Sequence, residues 1–258
     1  MRVDTYIFTF GYTKSRQTAK VLIENGKVLL DGKKVGKPSQ EIDESVQHNV
    51  EITDKPRFVS RGGEKLDFAI EKFNIDPNGL VCVDIGASTG GFTDCLLQRG
   101  AKFIYAIDSG HSQLDLSIES NGKVVSIEKY NAKFMQGDDF PCKFDFAVMD
   151  VSFISQTMIH HGVNSVLADE GIFVSLIKPQ FECGKSALNS HGVVKKPSYH
   201  LQAINKVIDS ALINGFSCLD IVRSPIDGGS GNVEFLAYFK KSQEPRNFIS
   251  ENKIKQIL

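Results

Sequence analysis

The stretch VDIGASTGGFT, residues 83–93, decides how this chain folds. An apolar run at 80–83 leads into Asp84, then Gly86, Gly90 and Gly91 follow, and apolar patterning resumes over 92–97. That order reads as strand, glycine-rich turn, helix, which turns backbone N–H groups toward a ligand at a helix N-terminus. The spacing is G-x-x-x-G-G, not G-x-G-x-x-G, so the dinucleotide fingerprint is not met. An acid just before the first glycine sits badly against a pyrophosphate and suits a cationic ligand. S-adenosylmethionine, with an ammonium and a sulfonium, is such a ligand. The expected cofactor-binding residues of this loop are Asp84, Gly86, Ala87, Ser88, Thr89, Gly90, Gly91, Phe92 and Thr93.

Outward from the loop, strand and helix patterns alternate. Strands are expected at 80–84, 103–107, 123–127, 144–149, 172–177, 217–222 and 233–239, and helices near 65–73, 91–99, 112–118, 155–167 and 197–214. Alternation of this kind predicts an α/β fold, a Rossmann-like, mostly parallel sheet of seven strands with helices on both faces. Ligands of such sheets bind beyond the carboxyl ends of the strands. Asp108 ends the run 103–107, one βα unit past the loop, where a carboxylate can accept from ribose hydroxyls. Asn131 follows strand 123–127 and is a candidate for the adenine edge.

Residues 1–54 read as a separate small α+β unit. Thr13 to Arg16 offer helix caps before 19–23, Asn25-Gly26 ends that helix, and Asp31-Gly32 turns a tight hairpin between 27–30 and 33–35. Residues 50–52 supply a closing strand. A linker is expected over 55–63, the larger domain over 64–241, and a polar tail, frayed or a short helix, over 242–258. Within residues 1–40, Arg2, Lys14, Arg16, Lys20, Lys27, Lys33, Lys34 and Lys37 face only Asp4, Glu24 and Asp31. On a protein of net charge −1, that concentration points to a phosphate-backbone reader. The residues expected to contact RNA are Arg2, Lys14, Arg16, Lys20, Lys33, Lys34, Arg57 and Arg61. Few exposed aromatics are expected beside those charges, which favours shape and backbone recognition over base stacking.

The five cysteines are widely spaced with no C-x-x-C pair, so neither a disulfide framework nor a zinc site is expected; Cys82 and Cys218 sit in apolar runs and read as core thiols. Residues 1–10 lack a signal-peptide pattern, and no run approaches the ~18 apolar residues that span a bilayer. A cytoplasmic protein without metal or membrane partner is expected.

Four charged residues stand where strands end. Asp150 closes 144–149, Lys178 follows the apolar run 172–177, Glu234 interrupts the apolar stretch 233–239, and Lys65 follows Arg61-Gly62-Gly63. Together Lys65, Asp150, Lys178 and Glu234 resemble the Lys-Asp-Lys-Glu tetrad of RrmJ/FtsJ-type ribose 2′-O-methyltransferases. The segments SRGGEKL (60–66), DIGASTGGFTDCLLQRGA (84–101), DVSFIS (150–155), KPQFE (178–182), HGVVKKP (191–197) and SPIDGGSGNVEF (224–235) resemble more closely the TlyA family, hemolysin-A-type ribosomal RNA methyltransferases. The resemblance runs from Arg2 to about Lys240. It implies methyl transfer from S-adenosylmethionine to a cytidine ribose 2′-hydroxyl of ribosomal RNA, with the tetrad catalytic, Asp150 also at the cofactor, and Asn131, within YNAKF (130–134), at the adenine. It also implies that the N-terminal unit is an RNA-binding fold of ribosomal-protein type.

Two features depart from the family pattern. The residues after Asp108 (Ser109-Gly110-His111) are unusual, and the chain opens directly on its RVD segment, which by the resemblance favours large-subunit RNA. In the expected in-line displacement the sulfonium is the leaving group and no metal is required. Lys178 serves as base or as the group orienting the hydroxyl; a lysine acts as a base near neutrality only where burial and nearby cations favour its neutral form, and Lys65 is the candidate cation. His160, His161 and His191 are the alternative bases. Rival functions are a membrane-active hemolysin, which lacks a strongly amphipathic cationic helix here, a non-catalytic assembly factor, which has no use for the four charged residues, and a methyltransferase acting on protein or a small molecule, which leaves the basic unit unexplained.

Overall fold

The computed structural model describes residues 1–53 and 56–258, so that Lys55, the first residue of the expected linker, and Asp54, the last of the expected first domain, lie outside the described residues. The chain divides into two compact units, Met1–Pro56 and Arg57–Leu258.

In the first unit, helices α1 (Val3–Thr9) and α2 (Arg16–Glu24) pack on a three-stranded antiparallel sheet of β1 (Val28–Leu30), β2 (Lys33–Lys34) and β3 (Val50–Ile52), in the order β2-β1-β3. Ser15 caps α2, its hydroxyl accepting from the Thr18 N–H at 3.1 Å. Asp31 and Gly32 form the hairpin turn with φ of +51° and +74°, the mirror-type turn that matches strand twist. No element was expected over residues 3–9. Val3, Tyr6 and Ile7 nevertheless fall at helical spacing and enter a core with Ala19, Ile23, Val28 and Val50. Asp4 is buried among them. Burial opposes its charge, yet hydrogen bonds from Arg2 and Arg16 hold its carboxyl below the usual range.

The second unit is a seven-stranded sheet: β4 (Val81–Ile85), β5 (Phe103–Ile107), β6 (Val124–Ile127), β7 (Phe144–Met149), β8 (Leu167–Ile177), β9 (Phe216–Arg223) and β10 (Phe235–Lys241), in the order β6-β5-β4-β7-β8-β10-β9. The first five strands run parallel, and β10 is antiparallel to both neighbours. The fold is the expected Rossmann-like, mostly parallel sheet of seven strands. Helices α3 (Arg61–Phe73), α4 (Gly91–Gln98), α5 (Leu116–Glu119), α6 (His160–Val166), α7 (Pro179–Glu182), α8 (Pro197–Ile213) and α9 (Glu251–Ile257) complete it.

Strand periodicity divides the core. On β7, Phe146 and Val148 join the α3 and α4 face and Ala147 and Met149 the α6 and α8 face, while Phe144 joins the latter because the register shifts between Phe144 and Phe146. Both faces are apolar because both are covered, as parallel strands require. Fully burying each Phe side chain such as Phe144, Phe146 or Phe173 contributes roughly 1.5–3 kcal/mol. The helix expected near 155–167 forms in two pieces, a 3-10 turn at Gln156–Met158 and then α6. Helix α9 places Ile254 in the core, so the end of the chain is packed.

Candidate active site

The glycine loop leaves β4 and enters α4 as expected. At Gly86 φ is +85°, and a Cβ would lie 2.6 Å from the Asp150 carbonyl oxygen. At Gly91 a Cβ would meet the Ser60 side chain, with the Gly63 nitrogen 3.0 Å away. Gly86 therefore lets the loop lie against the end of β7, and Gly91 lets α4 lie against the start of α3.

Two adjoining cavities open at the carboxyl ends of the parallel strands. One, of about 350 Å³, has walls that include Gly86, Ser88, Asp108, Tyr130, Asn131 and Phe153. The other, of about 280 Å³, has walls that include Arg61, Lys65, Ala87, Thr89, Phe92 and Lys178. Gly86, Ser88, Asp150 and Ser152 belong to both. A larger depression, about 650 Å³ around Asn164, Asp169 and Lys241, lies at the opposite end of the sheet, away from the strand ends that carry the loop.

In the first cavity Asp108 accepts from the Ser88 N–H at 2.8 Å through Oδ2 and from the Gly110 N–H at 2.6 Å through Oδ1. The carboxylate is held rigidly, and each oxygen retains a lone pair for a further donor. Asn131, in the wall of the same cavity, accepts from the Lys133 N–H at 3.1 Å through Oδ1.

The second cavity gathers the charged residues. Lys65, on α3, donates to Glu234 Oε2 at 2.5 Å across 169 residues of sequence. Both are buried, Lys65 8% and Glu234 3% exposed. Lys178, one residue past β8, has Nζ 2.5 Å from Asp150 Oδ1 and donates to Ser152 Oγ at 2.8 Å. The Asp150 contact is electrostatic, its angle not meeting that of a hydrogen bond. Lys65, Asp150 and Lys178 share this cavity with the glycine loop. The structure thus brings together two lysine–carboxylate pairs beside a loop built for a close ligand.

Several expected residues fall elsewhere. Asp84 and Thr93 line neither cavity, and nor does Gly90. Strand alternation turns Asp84 toward α4, where it is fully buried and accepts from Thr93 Oγ1 at 2.6 Å through Oδ2, while Oδ1 has no partner. Burial is the main reason its carboxyl is pushed up to about 7; the Thr93 hydrogen bond opposes that, and the charge of Asp150 adds to it. Asp84 lies one layer beneath the loop.

His160 is a core residue. It is fully buried, its Nδ1 lies 3.0 Å from Ser210 Oγ, and burial pushes it down to about 4. His161 lines the distant depression, and His191 is exposed on a loop. None of the three histidines lines either cavity.

The basic residues also separate. Arg2 and Arg16 bind Asp4 at 3.0 and 3.1 Å, Lys20 pairs with Glu24 at 3.8 Å, and Lys14, Lys33 and Lys34 are exposed. Arg57 is held by Asp67. Arg61, expected to contact RNA from the linker, begins α3 and forms part of the cavity wall.

Three further residues take part. Ser152 bridges the cavities and binds Lys178. Phe153 has φ +63° and is 92% exposed, its ring 5.2 Å from that of Phe181. Glu182, nearly fully buried, accepts from Ser155 Oγ at 2.5 Å, from the Gln156 N–H at 2.8 Å and from Lys206 Nζ at 3.1 Å. It ties the segment after β7, which carries Asp150 and Ser152, to the turn that carries Lys178. These residues lie inside DVSFIS and KPQFE, beside Asp150 and Lys178. Glu182→Ala is expected to lower the unfolding free energy by about 1–3 kcal/mol, because it leaves the buried Gln156 N–H unpaired; Glu182→Gln should cost less. Denaturant titration of the two variants tests this.

Residues 58–241 match the family described as FtsJ-like methyltransferase. The chain belongs to that family. Residues 1–47 match the S4 domain. The protein is 40% identical over 240 residues to Hemolysin A of Brachyspira hyodysenteriae, covering 93% of this chain and 99% of that one. It is 37% identical over 240 residues to the 16S/23S rRNA (cytidine-2′-O)-methyltransferase TlyA of Mycobacterium tuberculosis, covering 93% and 89%. A solved hemolysin-named protein of Streptococcus thermophilus superposes with a TM-score of 0.79 at 38% identity, over 100% of this chain and 94% of that one. This FtsJ-like methyltransferase is thus TlyA-like along its length. Among its described residues no helix is long and apolar enough to cross a membrane.

Proposed function

We propose that the protein transfers a methyl group from S-adenosylmethionine to a cytidine ribose 2′-hydroxyl of ribosomal RNA, in the cytoplasm, with large-subunit RNA favoured. The observation that carries this reading is the cavity shared by Lys65, Asp150, Lys178 and the glycine loop. The cofactor fits what is present: Gly86 and Ser88 line both cavities, Asp108 offers lone pairs to ribose hydroxyls, and Asp84 keeps an unpartnered oxygen beneath the loop.

When bound, S-adenosylmethionine supplies an electrophilic methyl group on a cationic sulfur. The chain's own residues do the remainder. Asn131 and Ile107 take the adenine end, and Ala87, Ser88, Thr89, Gly91 and Phe92 flank the methionine end. Lys178, held by Asp150 and Ser152, meets the incoming hydroxyl and orients it, or as the neutral amine accepts its proton. Lys65, fixed by Glu234, places a second positive charge beside the oxygen as negative charge develops there. Lys14, Lys20, Lys33 and Lys34 contact phosphates, as do Arg2 and Arg16 where the pairing to Asp4 leaves donors over. Arg61, in the wall of the cavity, contacts a phosphate of the nucleotide bound there.

The test is methyl transfer from radiolabelled S-adenosylmethionine to purified small and large ribosomal subunits, both offered because the mycobacterial relative is named for both. Label is expected as an alkali-resistant ribose methyl, chiefly in large-subunit RNA. Cofactor binding without label in either subunit would overturn the substrate.

A further inference from the structure

The first unit carries three aromatic rings that its sequence did not lead one to expect at the surface. Phe8, Phe10 and Tyr12 are 44%, 55% and 37% exposed. Scattered exposed apolar residues need no explanation, but three exposed rings fall within five residues on the unit with the basic excess. Phe8 and Phe10, two positions apart at the end of α1, face opposite sides of the helix, which leaves Phe10, on the side of Tyr6, and Tyr12, across Gly11, as the pair at the turn. The expectation that few aromatics accompany the charges is corrected here.

The backbone makes the turn rigid. Helix α1 ends in a left-handed turn at Gly11, φ +78°. The Gly11 N–H donates to the Phe8 carbonyl at 3.0 Å, and the Tyr12 N–H donates to the Ile7 carbonyl at 3.0 Å. This pair of bonds is the Schellman closure of a helix. Phe10 is braced from below, its ring centroid 4.3 Å from that of buried Tyr6. A Cβ built on Gly11 meets nothing within 4 Å, so space above the turn is open. Lys14 follows two residues on, and Arg16 and Lys20 stand on α2, which packs against α1.

We infer that Phe10 and Tyr12, on either side of the Gly11 turn, are a stacking platform for unpaired nucleotides of the RNA substrate. Rings fixed before binding lose little entropy on contact, and every base offers a π-face whatever its sequence. The flanking cations suit the phosphates on either side of a splayed base. The occupant is single-stranded RNA rather than a protein, because an apolar protein patch would gain nothing from the lysines and arginines around the rings. This inference rests on the RNA-directed reading above and adds to it a mode of recognition.

The chain contains no tryptophan, so Phe10→Trp places one reporter on the platform. Titration with a single-stranded oligoribonucleotide is expected to quench its fluorescence saturably, and a duplex of equal length is not. Loss of quenching while the oligonucleotide is bound, seen by filter retention, overturns the platform. Quenching by large subunits but by no naked RNA also overturns it and assigns the face to a ribosomal protein. In parallel, the double variant Phe10→Leu, Tyr12→Leu should bind RNA on the order of tenfold more weakly with an unchanged salt slope, since stacking releases no counterions; unchanged affinity overturns the inference. The tryptophan reading stands alone should the double variant not fold. A protein that quenches with oligonucleotide yet methylates neither subunit keeps the platform and loses the proposed substrate, so the two failures are distinguishable.

Discussion

Lys178→Ala is expected to abolish methyl transfer, lowering single-turnover rates by roughly 10²–10⁴-fold, the range contributed by a positioned proton-transfer group. Cofactor affinity should stay within about threefold, a difference well under 1 kcal/mol. The asymmetry follows from placement. Lys178 belongs to the cavity of the charged pairs and not to the one that holds Asp108 and Asn131. Its removal also leaves Asp150 without a cationic partner, which cannot disfavour a cationic ligand. Lys178→Arg should fail as well, because a planar guanidinium does not reproduce a compact ammonium 2.8 Å from Ser152 Oγ. Rapid-quench transfer assays beside calorimetric titration of the cofactor separate the two quantities. Retained turnover in the alanine variant would remove Lys178 from the chemistry; lost cofactor binding would make it a ligand of the cofactor instead.

The sheet was legible because its strands are short apolar runs closed by single charged or glycine residues. Asp84, Asp108, Asp150 and Lys178 all mark a strand end or the residue just past one. Phe103–Ile107 and Phe144–Met149 have the bounds expected of them. Helix α1 was not legible, since seven residues rich in β-branched and aromatic side chains carry little helical propensity, and tertiary packing of Val3, Tyr6 and Ile7 decides the matter. Glu234 shows the limit most sharply. An isolated acid among apolar residues ordinarily faces solvent, and only a resemblance marked it out; its partner Lys65 lies 169 positions away, a pairing that no local pattern encodes. Asp84 shows a subtler limit. The loop pattern placed a carboxylate near a cationic ligand, whereas the period of the strand decides which side of the loop it occupies.

That position gives Asp84 a second large and measurable consequence. Its carboxyl is buried, keeps Oδ1 unpartnered, and is pushed up to about 7 chiefly by burial. The unfolded chain ionises it near the ordinary value of 3.8. A folded pKa raised in this way contributes stability that is complete below the unfolded value and is lost as pH rises through about 7. Asp84→Asn keeps an acceptor for the Thr93 hydroxyl and removes the ionisation, so above pH 7 the ligand-free variant should unfold at the same or a higher temperature than the wild type. Cofactor binding should show the opposite preference. A sulfonium over the loop favours the ionised carboxylate, so wild-type affinity for S-adenosylmethionine should rise between pH 6 and 8, by at most about tenfold per pH unit. Asp84→Asn should lack that rise and bind on the order of tenfold more weakly at pH 8. S-adenosylhomocysteine keeps the ammonium and lacks the sulfonium, so its affinity should depend less on pH in the wild type. Calorimetric titrations of both ligands at pH 6, 7 and 8 decide the point: equal pH dependence in wild type and Asp84→Asn would show that Asp84 holds Thr93 and the loop and does not answer the charge of the cofactor.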